Sequence, residues 1–153
     1  MRFYISADIE GIPGVVTREQ GRAGGFEYEQ ARTWMTDSVL AVCTAAHEQG
    51  VEEVVVSDSH GNGHNLQLER MPDYVQLVRS WPRPLGMMQG IEVGEYVGAA
   101  LVGYHAGSEP FAVIPKAHHP LPFTASYYPG DGASRLEVSK ALFGEGKRPG
   151  III

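Results

Sequence analysis

Apolar positions recur along this chain with two periods, and their alternation predicts the fold. Arg2 to Asp8 alternates large apolar and β-branched residues and then breaks at Glu10-Gly11-Ile12-Pro13-Gly14, which reads as a first strand running into a loop. Over residues 27–49, Ala31, Trp34, Met35, Val39, Val42, Cys43 and Ala46 fall on one face of an amphipathic helix, with Gly50 as its stop. Glu53 to Ser57 carries Val54-Val55-Val56, a short run suited to a strand buried on both faces. Strand, helix and strand make a βαβ unit, whose strands are expected to be parallel neighbours joined by a right-handed crossover.

Beyond it, Asp58 to Gly63 reads as a loop and Leu66 to Arg70 as a short helical piece. Tyr74 to Val78 reads as a strand, Trp81-Pro82-Arg83-Pro84 as a loop, Glu92 to Tyr96 as a helical turn and Ala99 to Tyr104 as a last short strand. The fold class is α/β, a mainly parallel sheet with flanking helices, without internal repeats or low-complexity tracts.

Composition narrows the setting. The 153 residues suit one compact domain, and 43% hydrophobic content supplies a real core and rules out global disorder. A net charge of −6 argues against non-specific binding to nucleic acid or anionic membranes, which needs a basic face. One cysteine, Cys43, excludes a disulfide framework and fits a reducing compartment. Asp8 interrupts the N-terminus before a signal-peptide core could develop, and no stretch has the roughly 18 apolar residues of a membrane span, so a soluble cytoplasmic protein is expected. Residues 1–106 hold seven arginines, no lysine and fourteen acids; residues 107–153 hold all three lysines, two arginines, four acids and six of the ten prolines. That shift divides the chain into an α/β unit over 1–106 and a Pro-rich continuation of the same domain over 107–153.

The chemistry gathers at strand ends. Ligand sites of open α/β sheets lie outside the carboxyl ends of the strands. Here three strands end in metal-capable side chains: Asp8-Ile9-Glu10, Asp58-Ser59-His60 and Gly103-Tyr104-His105. If they run parallel, Asp8, Glu10, His60 and His105 converge on one rim. Two carboxylates and two imidazoles suit Zn²⁺ or another divalent transition metal. Each pattern alone is weak, since a strand-end acid is usually solvated and a lone histidine usually structural; recurrence on three strands carries the reading. No G-x-S-x-G elbow surrounds Ser59, and the glycines at 11, 14, 21, 24 and 25 do not form a dinucleotide fingerprint. Trp34 and Met35 are expected in the core, Arg32 and His47 in solvent, and His64 on the surface or behind the ligands.

Four blocks together resemble the DppA-type zinc D-aminopeptidases, peptidase family M55. They are Tyr4 to Val15, Val55 to Leu66, Met88-Gln89-Gly90 and Gly103-Tyr104-His105-Ala106, in order and at the family's spacing over about residues 1–106. The resemblance implies a zinc-dependent aminopeptidase acting on short peptides with N-terminal D-residues, assembled as a ring-shaped homo-oligomer. It implies two zinc ions bridged by Asp8, with Glu10 and His60 completing one site and His105 binding the other. A cation pair of this kind polarises an amide carbonyl and lowers the pKa of water, with water or the catalytic histidine as attacking group.

The family's catalytic histidine and a further acid ligand fall beyond His105. His118 is the preferred candidate for the first, with His119 beside it, and Glu137 for the second. An alternative alignment puts Lys140 at the acid position, where an ammonium has no lone pair to give. The family is longer than this chain, so 107–153 is expected to be an incomplete continuation. Two other readings stand beside the enzyme: a non-catalytic, metal-stabilised oligomer subunit or inactive truncated form, and a two-metal phosphohydrolase. The latter ranks lower, because the first three blocks carry no glycine-rich phosphate cradle or lysine.

Overall fold

The computed structural model describes residues 1–105. Four strands, β1 (Arg2–Ala7), β2 (Glu53–Asp58), β3 (Val75–Val78) and β4 (Gly98–Val102), form one sheet in the order β3-β2-β1-β4, and every pairing is parallel. One α-helix, α1 (Tyr28–Glu48), lies between β1 and β2 in the chain. Single turns of 3-10 helix occupy Glu19–Gly21, Leu68–Arg70, Gly86–Met88 and Ile91–Val93. No described helix is long and apolar enough to cross a membrane.

The apolar pattern explains both layers. Ala31, Met35, Val39 and Cys43, spaced at three and four residues, form the buried stripe of α1. They pack with Ile5, Ala7, Val54 and Val56 on one face of the sheet. Strand side chains alternate faces, so Tyr4 and Val55 point the other way and pack with Met88 and Ile91. The valine run of β2 is therefore buried on both sides, as its sequence implies. The helix ends where Gly50 takes φ +89°; its N–H bonds the His47 carbonyl at 2.9 Å, and the Val51 N–H bonds Ala46 at 3.2 Å.

His47 is exposed, as its place off the core stripe implies, with its ring stacked on Tyr74 at 4.0 Å and its Nδ1 2.8 Å from the Val51 carbonyl. One exposure expectation is corrected: Arg32 is half-buried, its Nε donating to the Asn65 carbonyl at 2.8 Å. Helical periodicity places it off the core stripe, but the segment after β2 returns to cover it.

Candidate metal centre

The strand register brings Ala7, Asp58 and Val102 side by side at one rim. The chain runs from β1 out to β2 and β3 and then returns to the other side of β1 as β4, so strand order reverses between β1 and β4. A crevice at such a reversal is where open α/β sheets bind ligands. The residues just past the rim are Asp8, Ser59 and Gly103. Their backbones stay tied, the Asp8 N–H to Val102 at 2.8 Å, the Ser59 N–H to Ala7 at 2.9 Å and the Gly11 N–H to Gly103 at 2.7 Å.

Asp8, Glu10, His60 and His105 converge there. Asp8 is buried and presents one carboxylate oxygen to each imidazole: Oδ1 lies 3.0 Å from His60 Nδ1, and Oδ2 lies 3.6 Å from His105 Nε2. Glu10 Oε2 stands between the rings, 2.8 Å from His105 Nε2 and 3.8 Å from His60 Nδ1. One donor atom each from Asp8, Glu10 and His105 lie within 4.8 Å of one another. His60 joins through the two carboxylates. Among the described residues, the ion pairs of Asp8 and Glu10 are to these two histidines alone.

His60 is held from behind. Its Nε2–H donates to the Gly21 carbonyl at 2.7 Å, which aims Nδ1 at the carboxylates. A carbonyl and a carboxylate accept, so both bonds are made together by the protonated imidazolium form. Burial alone disfavours that imidazolium. The hydrogen bond to Asp8, the charges of Asp8 and Glu10 and the Gly21 carbonyl outweigh it, and the His60 pKa lies above its ordinary 6.5. A divalent cation could take the proton's place at Nδ1 while Gly21 keeps its bond, the usual support of a ligating histidine. The donor set is two carboxylates and two oriented imidazoles at the mouth of a switch-point crevice, and it fits zinc.

Asp58 does not join the rim. Its fully buried carboxylate turns back into its own loop, accepting the N–H groups of Asn65 at 2.6 Å and Leu66 at 2.7 Å. Ser59 is buried in a hydroxyl cluster with Ser6, 2.8 Å away, and it reaches the Met87 carbonyl at 2.7 Å. The same Ser6 hydroxyl lies 2.6 Å from the Tyr104 phenol, anchoring the residue before His105; burial raises the pKa of that phenol, which stays protonated. His64 is exposed and hydrogen-bonds Ser80. The Met88-Gln89-Gly90 block covers the second sheet face instead of entering the rim: Met88 packs on Tyr4, and the Gln89 carbonyl accepts the Tyr4 hydroxyl at 2.9 Å.

Two glycines have a role that composition did not reveal. Gly11 and Gly103 cross in backbone contact. A Cβ on either would collide with main chain, that on Gly11 with Gly103 and that on Gly103 with the Asp8 carbonyl. Gly103 also takes φ +70°. This crossing brings the D-x-E loop against the end of β4 and so sets Glu10 on His105. A usable signal was their position: each glycine sits beside a predicted ligand. His118, His119, Glu137 and Lys140 lie outside the described residues.

Comparison with known proteins agrees with this geometry. The family model of the M55 peptidases, described as D-aminopeptidase, matches residues 1–118. A D-aminopeptidase of Bacillus subtilis (strain 168) is 33% identical over 106 residues, which is 69% of this chain and 38% of the relative. The solved structure of the Zn-dependent D-aminopeptidase DppA from Bacillus subtilis, described as a self-compartmentalizing protease, superposes with a TM-score of 0.65 at 32% identity, again over 69% of this chain and 38% of the other. This chain thus spans well under half the length of either relative. With the four ordered blocks, the parallel sheet and the strand-end carboxylates and imidazoles in agreement, the chain belongs to the D-aminopeptidase family of M55 peptidases.

Proposed function

We propose that the protein is a zinc-dependent aminopeptidase that hydrolyses short peptides with N-terminal D-amino acids at a two-metal site. The observation that carries the reading is Asp8, whose two oxygens face different imidazoles, His60 and His105, with Glu10 between them. A carboxylate so placed is disposed to bridge two cations. Asp8, Glu10 and His60 would hold one zinc and Asp8 and His105 the other, with Glu137 as a further ligand. Zinc bound there polarises the scissile carbonyl and lowers the pKa of water.

The rest belongs to this chain's residues. The Gly21 carbonyl keeps His60 oriented, the Ser6–Tyr104 contact fixes the strand end that bears His105, and burial of Asp8 limits competing water. His118 moves the proton between the attacking group and the leaving amine; the family match extending to residue 118 supports its inclusion. Self-compartmentalization of the Bacillus relative supports a homo-oligomeric, ring-shaped assembly. The single buried Cys43, with no disulfide partner, accords with work in the cytoplasm.

Asp8→Ala and His60→Ala are each expected to abolish both bound zinc, read by elemental analysis, and hydrolysis of a D-alanyl amide. Full hydrolysis by EDTA-treated protein shown to be metal-free would overturn the reading. Zinc binding without turnover in the reconstituted protein would leave a metal-stabilised subunit in its place.

A further inference from the structure

The geometry points to Asn65 as the positioning residue of His60, an inference that rests on the zinc reading above. Asn65 is 2% exposed, so its polar groups must find partners inside the protein. Its Nδ2 donates to Asp58 Oδ1 at 2.8 Å and to the His60 carbonyl at 2.7 Å, while Oδ1 accepts the Tyr28 hydroxyl at 2.8 Å. Its backbone N–H goes to Asp58 Oδ2 at 2.6 Å, and its carbonyl accepts Arg32 Nε at 2.8 Å. The amide orientation is fixed, because a flipped Oδ1 would face the Asp58 carboxylate and the His60 carbonyl, both acceptors.

One side chain therefore joins three elements: the first turns of α1 through Tyr28 and Arg32, the end of β2 through Asp58, and the main chain of His60. Asp58, metal-capable by type, serves as the base of this latch. His60 is then held twice, by Asn65 at its carbonyl and by Gly21 at its ring. With both ends fixed, Nδ1 faces Asp8 and Glu10 before any cation arrives. Because that orientation is set in advance, zinc binds without having to order the loop.

The test uses the 153-residue chain with Asn65→Ala, with Tyr28→Phe, and with Met35→Ala as a destabilised control whose side chain lies in the core under α1. Zinc affinity is measured by competition with a chelating indicator. Histidine-labelled NMR of the metal-free protein follows the His60 Nε2–H that Gly21 protects. Asn65→Ala should weaken zinc binding by about 10–100-fold and lose the protected resonance. Tyr28→Phe should give a smaller loss of the same kind, and Met35→Ala should retain wild-type affinity. Wild-type affinity and a retained resonance in Asn65→Ala overturn the proposal. A Met35→Ala loss matching that of Asn65→Ala also overturns it, since lowered stability alone would then suffice. If Asn65→Ala does not fold, Tyr28→Phe decides by the same two readouts, and no change in either overturns the proposal. If the wild type itself binds no zinc, the metal reading fails, and the resonance alone judges whether Asn65 orients His60.

Discussion

At the scale of single residues, His60 as a zinc ligand would link proton binding to metal binding with opposite signs. Its folded pKa is raised above the ordinary 6.5, so in metal-free protein its contribution to stability is fully present below that value. The contribution is lost as pH rises through the folded pKa and the imidazolium beside Asp8 discharges. Zinc needs the same Nδ1 without its proton, so zinc affinity should rise over that interval. Thermal melts of metal-free wild type between pH 5.5 and 8.5 are expected to show this loss on the alkaline side, and Asp8→Asn should flatten the profile. Zinc titrations across the same range should run the other way. An affinity independent of pH would mean that His60 is not a ligand.

Among elements, the parallel register of β1, β2 and β4 was readable from the chain, because each strand has a compact apolar run and an abrupt polar end. Convergence of Asp8, Glu10, His60 and His105 followed from strand direction alone. The Asp58–Asn65 latch was not readable: an acid at a strand end has the same sequence signature whether it faces the rim or its own loop. The second face of the sheet was readable only in part: a helical turn expected at 92–96 lies at 91–93, while the 3-10 turn at 86–88 was not foreseen, since single turns lack a usable period. The Gly11–Gly103 crossing was missed for a similar reason, being a contact between segments some ninety residues apart. It yields a prediction at this scale. Gly24 has φ +77° with open space around an added Cβ, so Gly24→Ala should cost only the left-handed strain of roughly 1–2 kcal/mol. Gly103→Ala adds to that strain a collision with the Asp8 carbonyl and an approach of 2.7 Å to Ile12 Cδ1. It should destabilise more in denaturant titrations, and in whatever fraction folds it should also weaken zinc binding, because Asp8 and Glu10 shift from His105. Equal effects of the two substitutions on stability and zinc affinity would separate the crossing from the site.

Over the described molecule, the centre and the neighbouring Ser6–Ser59–Tyr104 cluster join β1, β2 and β4 by side chains as well as by the sheet. A cation held by ligands from all three strands would bind the folded chain and have no comparable site in the unfolded one. Occupancy therefore stabilises by mass action, about 2.7 kcal/mol at a free concentration 100-fold above Kd. For a chain of this size that corresponds to a rise in Tm of roughly 5–10 °C. The rise should continue with the logarithm of free zinc, whereas a non-specific ionic effect would also follow magnesium or total salt. His105→Ala removes the contribution of β4 alone, so it should reduce the zinc-dependent rise while leaving the β1–β2 ligands Asp8, Glu10 and His60. Asp8→Ala, which takes away the carboxylate common to both imidazoles, should eliminate it. If His105→Ala and wild type respond to zinc identically, the ion is held by β1 and β2 alone, and the strand reversal between β1 and β4 is not its binding crevice.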